Sequence, residues 1–134
     1  MNVASKSIVV NAPVAEVYRL WLRGEDFPKF ITAIKKSRRL NETHFLISEG
    51  ANGEQNESVL EFVIRIPERR LVWRSLSNEL AAGVVTFTPR ANRGTTVTLT
   101  MMSTHSGEIS QRIGNYLQNF KKLVEQDVSG PQTS

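Results

Sequence analysis

The side chains best suited to acid–base chemistry in this chain are two histidines and three glutamates. His44 and His105 are its only histidines, and they lie far apart without the HxxxH spacing of a metal site. Glu49, Glu57 and Glu61 would each supply a general base if buried, because burial raises a carboxyl pKa towards neutrality. The alternation around Glu61 points it outwards, and no nucleophile, base and orienting group share a persuasive spacing. We therefore expect no catalytic residue, no metal and no cofactor.

Apolar and aromatic side chains favour a different chemistry, the binding of a molecule that avoids water. The candidate ligand-contacting residues come from the segment around residue 30, from inward strand positions and from one face of the C-terminal segment. They are Phe27, Phe30, Ile31, Phe62, Trp73, Phe87, Leu99, Met101, Ile109, Ile113 and Tyr116. The first three crowd a single helical turn, so they form either a lid over a pocket or a plug that completes the core.

The C-terminal segment 108–126 is predicted to be the long helix that covers the pocket. Its apolar residues recur at steps of three and four, which places them on one face, and Ser106 is the predicted N-cap. Gly114 borders that face, and a glycine inside a helix destabilises the helix by about 1 kcal/mol relative to alanine. Two interpretations account for Gly114: space for a ligand beside the helix, or close packing against a strand or the first helix, which we favour.

The elements that must position these residues are mostly short strands. The sequence predicts a strand at 3–10, a helix at 13–23 and a short helical turn at 27–31 capped by Asp26. Further strands are predicted at 34–40, 44–48, 58–66, around 71–74, at 84–88 and at 95–103. Sequential strands joined by turns form an antiparallel meander. We therefore expect an α+β fold, a curved antiparallel sheet of about seven strands around the long C-terminal helix, with two short helices after the first strand.

Strand 58–66 has a regular alternation that predicts which side chains it buries. The residues predicted to share its buried face are Leu60, Phe62, Ile64 and Ile66. Arg65, and Arg74 in the next strand, are predicted to lie on the opposite face. The interior of the sheet is therefore expected to be apolar.

Length and composition indicate one domain. At 134 residues the chain is large enough to bury a core, and we assign residues 1–128 to a single domain and 129–134 to a disordered tail. The chain contains no cysteine, which excludes disulfides and thiolate chemistry and is compatible with a reducing cytoplasm. No apolar window approaches the length of a membrane span or a signal peptide, so we expect a cytoplasmic protein.

The net charge of +4 raises the question of an anionic partner. Basic residues cluster modestly in two groups, Lys35, Lys36, Arg38 and Arg39, and then Arg69, Arg70, Arg90 and Arg93. A solvated surface accounts for them more simply than contact with a membrane or RNA. We therefore expect no specific nucleic acid.

Five short strings of the sequence, taken in order, resemble a known family. They are IVVNAPVAEVY at 8–18, FPKF at 27–30, PERRLVWRS at 67–75, GVVTF at 83–87 and NYLQNFKKLVE at 115–125. Together they are similar to the START-like (SRPBCC) superfamily with the helix-grip fold, in its polyketide cyclase/dehydrase and coenzyme Q-binding branch. The resemblance implies a deep, mostly apolar cavity between helix and sheet, used across the superfamily for lipids, quinones, polyketides and hormones. It carries over no catalytic motif.

The leading functional hypothesis is a protein that binds a hydrophobic or aromatic small molecule, such as a lipid, quinone or polyketide, in this cavity. One alternative is a polyketide cyclase/aromatase or dehydratase acting in the same cavity, which requires ionisable side chains there. A second alternative is an interaction protein that uses the basic surface, as the resemblance implies for some relatives in the quinone-binding branch. The expected partner is the hydrophobic ligand, and the sequence assigns no oligomeric state.

Overall fold

The computed structural model describes residues 2–31, 34–49, 56–75, 82–103 and 109–129. The elements in chain order are β1 (Asn2–Val10), α1 (Val14–Leu22), α2 (Phe27–Phe30), β2 (Ile34–Arg39), β3 (His44–Glu49), β4 (Asn56–Ile66), β5 (Arg70–Ser75), β6 (Ala82–Pro89), β7 (Thr95–Ser103) and α3 (Ile109–Ser129). Ser129 therefore belongs to α3 and not to a tail. The predicted N-cap Ser106 and the tail residues 130–134 lie outside the described residues.

All seven strands form one antiparallel sheet in the order β1-β7-β6-β5-β4-β3-β2. The alternation of β7 defines the two faces of the sheet: Val97, Leu99 and Met101 are buried on what we call the inner face. On the outer face, hydroxyl pairs link β1 to β7, with Ser5 Oγ 2.8 Å from Thr100 Oγ1. The predicted α+β helix-grip fold is confirmed, because α3 packs on the sheet against β1 and β7.

A β-bulge in β4 changes which face each side chain occupies. Phe62 pairs with Trp73 on the inner face, but the register then shifts and Ile64 pairs with Val72. The extra residue is Val63, and one extra residue reverses the inward and outward alternation for the rest of a strand.

Two predictions about β4 are wrong because of this bulge. Ile64 and Ile66 do not share the buried face with Phe62, since they are 43% and 42% exposed. Arg65 pairs with Leu71, which is fully buried, so the register places Arg65 on the inner face at the end of the strand. Sequence alternation alone contained no sign of the extra residue.

The two short helices are fixed by local signals. Pro13 precedes α1 with φ −62°, and Gly24 after α1 has φ +63°, a left-handed conformation that reverses the chain into α2. Asp26 precedes α2 as predicted but makes no capping hydrogen bond with its side chain. Its carboxylate instead forms ion pairs with Arg23 at 3.1 Å and Lys29 at 3.4 Å.

The C-terminal half of α3 is tied to the segment between β1 and α1. Lys121 Nζ donates to the carbonyl oxygen of Val9 at 2.8 Å, and the backbone N–H of Asn11 donates to Glu125 Oε2 at 3.0 Å. Lys121 and Glu125 also pair with each other at 2.5 Å. Among the described residues, no helix combines the length and the apolar character that crossing a membrane requires.

Gly24→Ala is expected to destabilise the protein by about 2–4 kcal/mol. The new Cβ would lie 2.2 Å from the Phe45 ring, and the left-handed backbone adds its own cost. Gly114→Ala, in α3, is the contrasting variant, because its Cβ would meet only the flexible end of Lys6 at 3.3 Å. We expect Gly114→Ala to stabilise by up to about 1 kcal/mol. Denaturant unfolding measures both changes, and equal effects would contradict this account.

Glu125→Gln is expected to lower the free energy of unfolding by about 1 kcal/mol at neutral pH and by progressively less in acid. Burial alone raises the pKa of Glu125, but the hydrogen bonds from Lys121 and Asn11 and the Lys121 charge lower it overall below 4.5. A lowered pKa contributes stability that is present above 4.5 and is lost as the pH falls through the folded-state pKa. Unfolding curves from neutral pH to about pH 3 measure the difference. Glu57→Gln, on an exposed position of β4, is the control. A destabilisation by Glu125→Gln that increased in acid would contradict the lowered pKa of Glu125.

Candidate functional site

A row of inner-face residues crosses the middle of the sheet. Phe62 on β4 pairs with Trp73 on β5, which pairs with Gly83 on β6, which pairs with Met101 on β7. The row places a large aromatic ring, a residue without a side chain and a flexible thioether side by side beneath the helix layer. Such a surface is apolar and adaptable, as small-molecule sites commonly are.

The indole of Trp73 occupies the space that a side chain at residue 83 would fill. A Cβ built on Gly83 would lie 2.0 Å from Cζ2 and 2.4 Å from Cη2 of Trp73. The ring therefore lies against the bare backbone of β6 and does not stand up from the sheet. Trp73 remains 5% exposed and Met101 8% exposed, whereas neighbouring Leu71 is fully buried.

The opposite part of the interior is filled by aromatic rings. Trp21 on α1 contacts Phe30 on α2 and Phe120 on α3, with ring centroids 5.0 and 4.8 Å apart. Phe27 lies 5.9 Å from Phe45 between centroids, which extends the cluster to β3. The carbonyl oxygen of Phe30 also accepts a hydrogen bond from Asn119 Nδ2 at 3.3 Å. This packing matches the plug interpretation of α2, because its two phenylalanines join the core.

The candidate ligand-contacting residues nearly all belong to the interior. Buried members of the set are Phe27, Phe30, Phe62, Trp73, Phe87, Leu99, Met101, Ile113 and Tyr116. Ile31 is partly buried against this core, and Ile109 begins α3 with its side chain outside the described part of the chain. Those on α2 lie in the aromatic cluster, while Trp73 and Met101 lie in the row that crosses Gly83.

The described acid–base side chains lie on the outer face of the sheet, whereas the pairing of Glu49 with buried Ile34 places that strand position on the inner face. His44 Nε2 lies 3.5 Å from Glu61 Oε2, and Glu61 Oε1 accepts a hydrogen bond from Arg74 Nε at 3.0 Å. This network is on the outer face, which agrees with the outward prediction for Glu61 and Arg74. His105 and the side chain of Glu49 lie outside the described residues. Among the residues that are described, no group of three His, Asp or Glu is placed to hold a metal ion.

The phenol group of Tyr18 on α1 has a raised pKa. Burial raises the pKa of Tyr18 above 10.0, the nearby Arg65 charge lowers it, and the Glu68 carboxylate raises it further. Its ring meets Phe87 edge to face at 5.6 Å. The phenol therefore stays protonated at neutral pH and remains a hydrogen-bond donor.

A separate open groove of about 610 Å³ runs between β1 and the first half of α3. Its walls are mostly polar and consist of Lys6, Ser7, Ile8, Ser110, Gln111, Gly114, Asn115, Leu117 and Gln118. Gly114 lines this groove, and the end of the Lys6 side chain lies 3.3 Å from the point where a Cβ on Gly114 would be. The groove is therefore a surface feature.

Three inward-facing serines are functional candidates that sequence reasoning missed. The hydroxyl groups of Ser37, Ser58 and Ser75 are buried and have no hydrogen-bond partner among the described residues. The signal was present in the alternation, because Ser58 precedes the inward Leu60 by two positions and Ser75 follows the inward Trp73 by two. Alternation places a serine on a face, but it does not show whether the hydroxyl has a partner, because that depends on the neighbouring strands.

The two groups of basic residues lie on different elements. Lys35, Lys36 and Arg38 are exposed on β2, an edge strand, where charged side chains discourage pairing with another sheet. Arg39 folds over the Phe45 ring with its guanidinium carbon 4.8 Å from the centroid. The remaining group, Arg69, Arg70, Arg90 and Arg93, occupies the turns between β4 and β5 and between β6 and β7 and the strand end beside them.

The fold and the apolar inner face define a helix-grip domain of the START and polyketide cyclase type. A family model described as polyketide cyclase/dehydrase and lipid transport matches residues 10–113, from the end of β1 into α3. The chain belongs to this family.

Relatives and solved structures agree with this assignment. An uncharacterised 17.2 kDa protein of Streptomyces lincolnensis is 29% identical over 140 aligned positions, covering 94% of this chain and 91% of the relative. A crystal structure from Deinococcus radiodurans superposes with a TM-score of 0.78 at 24% identity, covering 96% of this chain and 99% of that one. The Zhui aromatase/cyclase from Streptomyces sp. R1128 superposes with a TM-score of 0.76 at 14% identity, covering 95% of each chain. These structural likenesses establish the fold.

Gly83→Ala is expected to displace the Trp73 indole and to destabilise the protein by about 1–3 kcal/mol. The new methyl group would overlap the ring, and overpacking of a filled interior carries a cost of this size. Fluorescence in a Trp21→Phe background isolates Trp73, and we expect a shift of its emission maximum. Val84→Ala, at the adjacent outer-face position of β6, is the control and should leave the emission unchanged. An unshifted spectrum in Gly83→Ala would refute the packing of Trp73 on Gly83.

Proposed function

We propose that this protein binds a hydrophobic or aromatic small molecule, a lipid, quinone or polyketide-like compound, between α3 and the inner face of the sheet. The candidate ligand-contacting residues remain those predicted from the sequence, and we assign the central role to Trp73 and Met101. A cytoplasmic location, predicted from the cysteine-free sequence, is part of the proposal.

The observation that carries the proposal is the position of Trp73 over Gly83. An indole laid against bare backbone presents its other face to the interior, and an aromatic face is a good surface for stacking a flat ligand. Met101 in the next strand supplies a side chain that adapts its shape to different occupants. Both retain a small exposed fraction, which distinguishes this region from the aromatic cluster around Trp21.

The energy available supports binding without any charged contact. Burying about 300 Å² of apolar ligand surface at about 25 cal/mol per Å² gives a gross gain of about 7 kcal/mol. Ordering costs reduce this figure, and the remainder corresponds to affinities in the micromolar range or weaker.

The enzymatic alternative, a polyketide cyclase/aromatase or dehydratase, is supported by the likeness in fold to an aromatase/cyclase. It needs proton-transfer groups around the ligand. The ionisable residues that the register places on the inner face are Lys6, Arg39, Glu49 and Arg65, and Arg39 is already engaged with Glu25 at 3.2 Å. No histidine of the described residues lies on the inner face, and the side chain of Glu49 is outside the described part of the chain, so we place binding ahead of catalysis. The basic-surface alternative has the weaker support, since edge protection on β2 accounts for Lys35, Lys36 and Arg38, and Arg39 is engaged with Glu25 and the Phe45 ring.

Met101→Phe is expected to weaken binding of a three-ring aromatic probe by about tenfold, because the larger side chain takes up space beside Trp73. Met102→Phe, at the next position of β7 on the outer face, is the matched control and should bind the probe as the native protein does. Titrations of anthracene and of a dihydroxyanthraquinone, followed by tryptophan quenching and by melting temperature, measure the change.

Two results of these titrations would contradict the proposal. One is an unchanged melting temperature of the native protein across both probes and a panel of quinones and fatty acids. The other is equal weakening by Met101→Phe and Met102→Phe, which would place the bound probe on the protein surface.

A further inference from the structure

The inner face carries three serine hydroxyls whose hydrogen-bonding capacity is unused. The side-chain oxygens of Ser37 on β2, Ser58 on β4 and Ser75 on β5 are buried without a partner among the described residues. Ser58 is the most enclosed of the three, since only 3% of the residue is exposed. Serines on the outer face differ: Ser5 and Ser7 each pair with a threonine of β7, at 2.8 and 2.7 Å.

The strand register places the three serines in one neighbourhood. Ser37 and Ser58 both pair with Ile47, one from each side, so they flank that residue in a row across three strands. Ser75 pairs with Leu60, two positions along β4 from Ser58 on the same face. Neighbouring strands are about 4.8 Å apart and diagonal neighbours about 7–8 Å apart, so Ser58 lies about 10 Å from Ser37 and about 8 Å from Ser75, and the three hydroxyls span about 16 Å.

These hydroxyls are costly to leave unpaired. A buried hydroxyl without a hydrogen bond loses its interaction with water and gains nothing in return, and native proteins contain few such groups. Alanine or valine would fill the same positions without this cost. Three unpaired hydroxyls on one face therefore indicate polar atoms that arrive from outside the sheet.

We infer that Ser37, Ser58 and Ser75 form a polar strip that binds the oxygen atoms of the ligand, so that the preferred ligand is a polyoxygenated ring compound. This inference rests on the proposed function and specifies the ligand class for the same site. A serine hydroxyl both donates and accepts, so the strip serves carbonyl and hydroxyl groups alike. A saturated hydrocarbon chain offers no such group and leaves all three hydroxyls unpaired.

The arrangement also orients the ligand. Ser75 lies two positions after Trp73 on β5, so the polar strip adjoins the aromatic surface. A ring stacked on Trp73 has Phe62 on its β4 side and Met101, beyond Gly83, on its β7 side, so its oxygen-bearing edge points along β5 towards Ser75. The protein then distinguishes between ligands by which edge of the ring carries the oxygen atoms.

The test compares two probes of the same three-ring size, anthracene and a dihydroxyanthraquinone. For the double variant Ser58→Ala with Ser75→Ala, we expect about tenfold weaker binding of the dihydroxyanthraquinone, the loss of one to two hydrogen bonds. Binding of anthracene should stay within about twofold, because the apolar contacts are kept. The melting temperature of the ligand-free variant should be unchanged or higher, since two unpaired buried groups are removed.

Ser5→Ala is the matched control, because its hydroxyl is paired with Thr100 on the outer face, and it should alter the binding of neither probe. Equal weakening of both probes by the double variant, or no weakening of either, overturns the inference while leaving the proposed function intact. Failure of the native protein to bind either probe overturns the proposed function together with the inference.

Discussion

One helix has to cover the apolar face of a seven-stranded sheet, and the rest of the molecule depends on how that helix is held. The apolar residues of α3 supply the cover, but a helix laid on a sheet is free to slide unless something fixes it. The fixing occurs at its C-terminal half, where Lys121 and Glu125 bond to the backbone between β1 and α1. Trp21, Phe30 and Phe120 then interlock α1, α2 and α3 through ring contacts of about 5 Å.

The two halves of the interior differ in how their side chains are packed. The half beneath α1 and α2 is packed with aromatic rings that contact one another. The half around Trp73, Gly83 and Met101 is built differently, with a missing side chain, an adaptable thioether and hydroxyls that find no partner among the described residues. A protein can tolerate imperfect packing in one half because the other half supplies rigidity, and sites of binding are commonly drawn from the less optimised part of a structure.

Sequence patterns predicted the elements and the general location of the site, for identifiable reasons. Strand β7 was predicted with its observed bounds because Val97, Leu99 and Met101 alternate with threonines without interruption. The faces of β4 were not predicted correctly, since an inserted Val63 leaves no local mark in an apolar run. The roles of Gly83 and Ser75 also escaped, because each depends on what another strand places opposite. Sequence periodicity assigns a residue to a face, but only register assigns it a neighbour.

The bulge at Val63 has a consequence for how this lineage of sequences can change. Removing that one residue would leave Phe62 opposite Trp73 and Ile64 opposite Val72 with regular pairing between them, so Ile64 and Ile66 would still face outwards and Arg65 inwards. A single-codon deletion there would thus keep the chemical character of both faces, whereas a deletion in the regularly paired part of β4 would turn the residues beyond it to the opposite face. Genes encoding this domain should accordingly tolerate the loss of one residue at Val63 better than elsewhere in β4, and the pairing of Phe62 with Trp73 should be a more durable feature than the spacing between Phe62 and Ile64.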